Sequence, residues 1–289
     1  EQTVMINQPI SFEYLENQKK TTLFGITVDY STAAFYPEIK LASKMILDGE
    51  LPLWNPYVAT GYPLGADTTH HIFSPISLGF LLPSEYWDFP VMLVLWIAGF
   101  SMYIFLRNLG LNFVSSISGG IFYMLSGAFT WYIINPNPFV TMVTPLILFS
   151  IDKIFRNKNP KYIILLSFSF GFSVLGGHLQ SLFLQFLVII LYSLYRSTQI
   201  FFVSQDKLQY FSFKQGFIIS SKSLLKITLG IIGGFGITSF YILYVLEFFQ
   251  HGILDNSLTY GSVQWNPLTL ATIAIPNILG NITRMWTTN

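Results

Sequence analysis

The chain predicts an all-α integral membrane protein, a polytopic bundle of transmembrane helices with an exoplasmic first loop that carries interfacial helices. Three observations carry that expectation. Of 289 residues, 52% are hydrophobic and 17% aromatic, and only 10% are charged, where an ordinary soluble domain has about 25% charged residues. The apolar residues gather into runs of roughly 17 to 25, the length a helix needs to cross a ~30 Å hydrocarbon core. Basic residues fall in alternate connections between those runs, as the positive-inside rule requires. A net charge of +1 selects no class of charged partner, and the absence of cysteine excludes disulfides, thiolate metal sites and a cysteine nucleophile.

Residues 1–88 read as the exoplasmic first loop. Asp29 follows a short apolar stretch and precedes Ser31 to Leu47, where Ala34, Ile39, Ala42 and Ile46 suit an amphipathic helix lying along the interface. Two readings of Asp29 stand side by side. It caps that helix through the free N–H groups of its first turn, or it is a general base at the membrane–water boundary. The stretch from Gly49 to Asp67 places Gly49, Pro52, Pro56, Gly61, Pro63 and Gly65 at close intervals, which predicts successive turns displaying Trp54 and Tyr62. Trp54 is either an interfacial anchor or a wall for a sugar or a polyprenyl chain. Asp67, Thr68, Thr69, His70 and His71 form a polar cluster able to take a metal or a phosphate. Adjacent histidines without an i,i+4 partner are equally ordinary loop residues. Ile72 to Leu82 is too short to span and reads as a re-entrant or interfacial piece.

Residues 89–248 read as the bundle, with about six spans at Phe89–Leu106, Phe113–Ile134, Phe139–Phe155, Tyr162–Gly177, Leu182–Tyr195 and Leu224–Phe248. The basic, aromatic segment 196–223 reads as a cytosolic connector on the membrane surface. Alternation of these spans places Arg107, Lys153, Arg156, Lys158, Lys161, Arg196, Lys207, Lys214, Lys222 and Lys226 on one side, ten of the 15 basic residues. That side is cytoplasmic. Most carboxylates and all four histidines then face the exoplasm. Residues 249–289 read as an exoplasmic segment and the start of a further region, the whole being expected as a piece of a longer polypeptide that lacks an earlier span.

Within the bundle, Gly176-Gly177-His178-Leu179-Gln180 falls at an exoplasmic helix end, where glycines admit a second backbone or a ligand. His178 there is either a binding residue or a histidine hydrogen-bonded across helices. Asn135-Pro136-Asn137-Pro138 and Trp265-Asn266-Pro267 fall on the same face and read as cavity wall or as turns. Gly230 to Gly236 sits inside an apolar run, where small residues serve helix packing. No glycine-rich phosphate loop follows a strand, which argues against a cytosolic nucleotide site, and no basic surface suited to nucleic acid is present.

Asp29 with Tyr36-Pro37, the block Leu51-Pro52-Leu53-Trp54-Asn55-Pro56, Gly61-Tyr62-Pro63, Phe73-Ser74-Pro75 and Leu81-Leu82-Pro83 resemble the first extracytoplasmic region of the YfhO-type bacterial membrane proteins. Leu106-Arg107, Leu125-Ser126-Gly127, Gly176 to Gln180 and Pro276 to Gly280 extend the resemblance. These proteins are related to the GT-C glycosyltransferases. The resemblance implies a GT-C-like fold in the cytoplasmic membrane and transfer of a sugar from a polyprenyl-phosphate donor to an exoplasmic acceptor, a cell-envelope polymer, lipid or protein. Asp29 is the matching position for the base. Glu38, Lys40, Trp54, Asn55, Tyr62, Asp67, His70, His178 and Gln180 are the expected substrate-binding set. No cofactor is fixed by these residues; a divalent cation is one candidate, with membrane lipids as the surrounding partner. GT-C sites often pair two acidic residues, whereas Tyr30 follows Asp29, so a second carboxylate has to come from Glu38 or Asp67. Two other classes remain open, a membrane acyltransferase using His178 as its base and a non-catalytic lipid-handling or transport protein.

Overall fold

The computed structural model describes residues 35–58, 61–130, 135–157, 159–206 and 213–251. Asp29, Trp265 and Pro276 lie outside them. Among the described residues the chain is helical, with one isolated bridge between Asn55 and Tyr62. The elements run α1 (Tyr36–Leu47), α2 (Asp88–Asn108), α3 (Phe113–Met124), α4 (Gly127–Thr130), α5 (Pro136–Thr141), α6 (Thr144–Arg156), α7 (Lys161–Leu175), α8 (Leu179–Asp206), α9 (Phe213–Ile237) and α10 (Ser239–His251).

Helix α1 is amphipathic as its spacing requires: Ile39, Ala42 and Ser43 turn inward while Lys40 and Lys44 are exposed. Pro37 opens its first turn, where a missing N–H costs nothing. The chain leaves the helix at Asp48 and Gly49, the latter at φ 83°. The inward face meets Phe35, Leu64, Ile72, Phe80 and Trp87 in a small apolar core. Each large side chain so buried contributes roughly 1.5–3 kcal/mol. The Ser43 hydroxyl donates to the Phe80 carbonyl at 3.0 Å, fastening α1 to the Pro75–Leu81 3-10 helix. That short helix is what the Ile72 to Leu82 stretch becomes. At about 2 Å per residue it is far too short to span.

Among the described residues, five segments are long and apolar enough to cross a membrane: Ser84–Asn108, Phe113–Thr130, Pro136–Arg156, Leu179–Ile200 and Gly216–Ile237. The span expected at Tyr162–Gly177 is the shorter apolar helix Lys161–Leu175. The later helices depart most from the expectation. The run expected at Leu224–Phe248 is two helices, α9 and α10, divided at Thr238. The buried Thr238 hydroxyl donates back to the Gly234 carbonyl at 3.0 Å, a back-bond that bends helices. Residues 196–206 and 213–223, expected within a connector, continue α8 and begin α9.

Helices α2 and α3 pack antiparallel where Gly99 meets Gly120; a Cβ on Gly120 would lie 2.7 Å from the Gly99 carbonyl oxygen. Helices α7 and α9 run parallel, with Gly230 against Leu166, Gly233 against Ser167 and Gly234 against Phe170. These small residues let the helix backbones approach closely, as membrane interfaces favour. Val94, Ala98, Phe139, Ile147, Ile151, Leu166, Phe170 and Ile189 fill the main core. A buried Gln185 on α8 donates to the Val140 carbonyl at 3.1 Å and to the Thr144 hydroxyl at 2.7 Å, tying three elements together.

A buried ionic cluster joins α2, α6 and α8. Asp152, fully enclosed, takes Arg196 at 2.6 Å, Arg156 at 2.9 Å and the Asn108 amide at 2.6 Å. A carboxylate taken out of water is tolerated only when paired and hydrogen-bonded, and these three donors meet that condition.

Candidate functional site

The loop between α1 and α2 folds back over its own helix and brings three chemically capable side chains together. Glu38 comes from the first turn of α1; Asp67 and His70 come from the segment just after the Leu64–Ala66 turn. Their potential ligand atoms all lie within 4.8 Å of one another. His70 Nδ1 stands 2.9 Å from Glu38 Oε2 and 3.3 Å from Asp67 Oδ2. Asp67 is oriented by its own turn: Oδ1 accepts the Thr69 amide at 2.8 Å and the Thr69 hydroxyl at 2.6 Å. That leaves Oδ2 directed at His70.

The electrostatics follow from this geometry. Burial opposes charge on His70, but hydrogen bonding and attraction from Asp67 and Glu38 prevail and lift its pKa to about 9. Burial likewise opposes the Asp67 carboxylate, and His70 with the two Thr69 bonds outweighs it, holding Asp67 below its usual value. Tyr62 beside them is pushed up by burial and by Glu38, so it stays a neutral phenol.

His71 has the opposite character. It is buried, stacked on Phe139 with ring centroids 3.6 Å apart, and held at φ 39°, a region that His enters more readily than most residues. The Ser77 hydroxyl donates to the His71 carbonyl at 2.7 Å. With that proton committed, His71 Nδ1 must be the donor in its 3.0 Å contact with Ser77 Oγ. Burial, then the charge of His70, depress its pKa to about 3. His71 is a packing residue.

The other expected site residues divide. Tyr62 stands with Glu38 and Asp67. Asn55 is buried and structural: its backbone exchanges bonds of 2.8 and 2.9 Å with Tyr62, and its side chain accepts the Tyr57 amide at 2.9 Å. That clasp explains why Gly61 is required, since it sits at φ 95° under the Trp54 ring. Trp54 is half exposed. Lys40 and Gln180 are exposed, and no bond joins either to the cluster.

His178 precedes α8 and caps it. Its Nδ1 accepts the Ser181 amide at 3.1 Å, while the Ser181 hydroxyl reaches Asn137 Oδ1 at 3.3 Å. The glycines before it act as expected. Gly177, at φ 82°, abuts the Thr68 carbonyl, where a Cβ would come within 2.5 Å; Gly176 abuts Phe139 and Val140. The turn that carries His178 is therefore seated on the loop that carries Asp67 and His70.

Two tyrosines of α10 escaped the sequence reading because they sit in an apolar run without a motif. Tyr244 donates to the Leu53 carbonyl at 2.5 Å. Tyr241, 5% exposed, brings its hydroxyl beside Gly177 and Thr68, and that hydroxyl has no hydrogen-bond partner. Glu38 Oε2, Tyr62 Oη and His70 Nε2 are also buried without an aligned hydrogen bond. Native proteins satisfy nearly all such groups, and clusters of exceptions mark ions, waters or ligands.

A scan against family models, a search of curated proteins and a search of solved structures each gave no match to this chain.

Proposed function

We propose that this chain belongs to a membrane glycosyltransferase that moves a sugar from a polyprenyl-phosphate donor to an exoplasmic acceptor by inverting displacement. One observation carries the reading: a loop resembling the first external loop of the YfhO-type proteins in sequence gathers Glu38, Asp67, His70 and Tyr62 at the end of an apolar helix bundle. Asp29 is the base that deprotonates the attacking hydroxyl, and the carrier phosphate departs without needing a general acid. The positive-inside rule assigns the basic helix ends to the cytoplasm, which supports an outer-face site.

The acyltransferase alternative is weakened by His178. Its Nδ1 already accepts the Ser181 amide, so the ring proton resides on Nε2, and neither nitrogen is free to take a substrate proton. Ion-coupled transport finds little support in Asp152, whose charge is matched by Arg196 and Arg156.

The test is transfer of radiolabelled sugar from polyprenyl-phosphate donors in membranes containing the full-length protein. Asp29→Asn at matched expression should lower the rate by about 10²–10⁴-fold, the usual worth of a positioned base. Equal transfer by the variant removes Asp29 from the reaction. A lack of transfer by either protein across a donor panel sinks the reading.

A further inference from the structure

The geometry points to a divalent-cation site: Glu38, Asp67 and His70 hold one first-row ion of the Zn²⁺ type, with one coordination position left open. Two facts carry this independently of any homology. First, a single imidazole nitrogen faces three oxygens, Glu38 Oε2 at 2.9 Å, Asp67 Oδ2 at 3.3 Å and the Thr69 hydroxyl at 3.2 Å. One N–H satisfies one of them well. The Thr69 hydroxyl has already spent its proton on Asp67 Oδ1, so the convergence has more acceptors than hydrogens. Second, His70, more than nine-tenths buried, carries a ring nitrogen without a partner, and the equally buried Tyr241 hydroxyl, also without a partner, lies beside Gly177 where that glycine abuts Thr68, between Asp67 and His70 in the chain.

The spacing suits a metal. Two donors about 2.1 Å from a tetrahedral ion lie about 3.4 Å apart, close to the 2.9 and 3.3 Å that separate Nδ1 from the two carboxylate oxygens, and all three ligand atoms lie within 4.8 Å of one another. The donor set of one imidazole nitrogen and two carboxylate oxygens favours Zn²⁺ or its first-row neighbours over Ca²⁺ and Mg²⁺, which prefer oxygen alone. Asp67 is already aimed by Thr69, as the ligands of such sites usually are. Three protein ligands leave a tetrahedral ion one free position, the arrangement of catalytic rather than structural zinc. The cluster otherwise carries two carboxylates against one imidazole and repels anions. A bound divalent ion cancels that charge, and its open position accepts an anionic oxygen. On the glycosyl-transfer reading, the oxygen that takes the open position is that of the donor's phosphate.

The experiment uses the full chain, without a histidine tag, in lipid nanodiscs, stripped with EDTA and equilibrated with Zn²⁺ at pH 7.5. Retained metal is counted by mass spectrometry and its surroundings are read by zinc-edge X-ray absorption. The expected result is one Zn²⁺ per chain with a single imidazole among oxygen ligands. Glu38→Gln, Asp67→Asn and His70→Ala should each weaken binding by at least about tenfold, and Glu50→Gln, an exposed carboxylate on the same loop, should leave it unchanged. Failure of the wild type to retain zinc, equal retention by the triple variant, or a spectrum with no imidazole or several overturns the inference. Should a variant misfold, the wild-type spectrum still decides. Binding is read without turnover, so bound zinc without sugar transfer sinks the transferase reading alone, whereas transfer that persists in EDTA with no zinc retained sinks the metal site alone.

Discussion

His70 and His71 are adjacent in sequence and opposite in charge preference, because one ring faces two carboxylates and the other faces Phe139. In metal-free protein this has a sign on each side of neutrality. His70, raised from 6.5 to about 9, lends stability that is complete below pH 6.5 and lost as pH rises through 9. His71, depressed from 6.5 to about 3, is buried neutral, so stability is lost as pH falls from 6.5 towards 3. The lowered Asp67 adds to the acid side. Stability in EDTA should therefore peak near pH 6.5, each limb amounting to at most a few kcal/mol at about 1.4 kcal/mol per pKa unit. Melting temperatures of the EDTA-treated chain across pH 4–9.5 provide the check. His70→Gln should flatten only the alkaline limb and His71→Gln only the acid limb; an unchanged alkaline limb in His70→Gln contradicts the assignment. A second residue-scale outcome concerns Gly177. Its φ of 82° and the 2.5 Å approach to Thr68 make Gly177→Ala costly by about 1–3 kcal/mol. Limited proteolysis should then cut the 67–71 loop faster than in the wild type, and equal cleavage rates count against that seating.

At the scale of elements, parallel α7 and α9 meet through glycine and serine, so the interface has no room for a larger side chain. Gly234→Val places methyl groups where a Cβ alone comes 2.9 Å from both Phe170 and the Ser167 carbonyl. Overpacking of this kind costs about 1–3 kcal/mol. Unfolding in mixed micelles with rising detergent fraction should show that loss, while Gly236→Val, with open space around it, should not. The role of the glycine run was legible in the sequence, because small residues in an apolar stretch have little else to do in a membrane. The amphipathic α1 was equally legible from Ile39 and Ala42. The split at Thr238 was not: hydropathy is continuous across it, and what marks the break is one hydroxyl returning to Gly234. The cluster was half legible. Glu38, Tyr62, Asp67 and His70 were each singled out, but their convergence depends on how the apolar contacts of Phe35, Leu64 and Phe80 fold the loop back, and no local pattern encodes that. The turn-closing part played by Asn55 was hidden for a related reason. A buried amide that closes a turn and an amide that binds a ligand look alike until the Tyr62 bridge is seen.

For the whole molecule, two polar clusters among the described residues divide the labour, and their separation is testable. Asp152 with Arg196, Arg156 and Asn108 joins three helices; Glu38 with Asp67 and His70 is held by a loop and the amphipathic α1. Removing a partner from a buried ion pair leaves an uncompensated charge and costs about 3–5 kcal/mol. Asp152→Asn should therefore lower stability by that order, and the loss should be partly relieved in Asp152→Asn with Arg196→Met, which removes the stranded guanidinium as well. Neither change touches the loop. If the first cluster holds the bundle and the second handles the ligand, Asp152→Asn will weaken unfolding resistance yet leave zinc affinity within about threefold of wild type, while Glu38→Gln, Asp67→Asn and His70→Ala will each lower zinc affinity by at least about tenfold. A parallel loss of zinc affinity in Asp152→Asn, at a temperature where the chain remains folded, means that the two ends are coupled through α8, and the division fails.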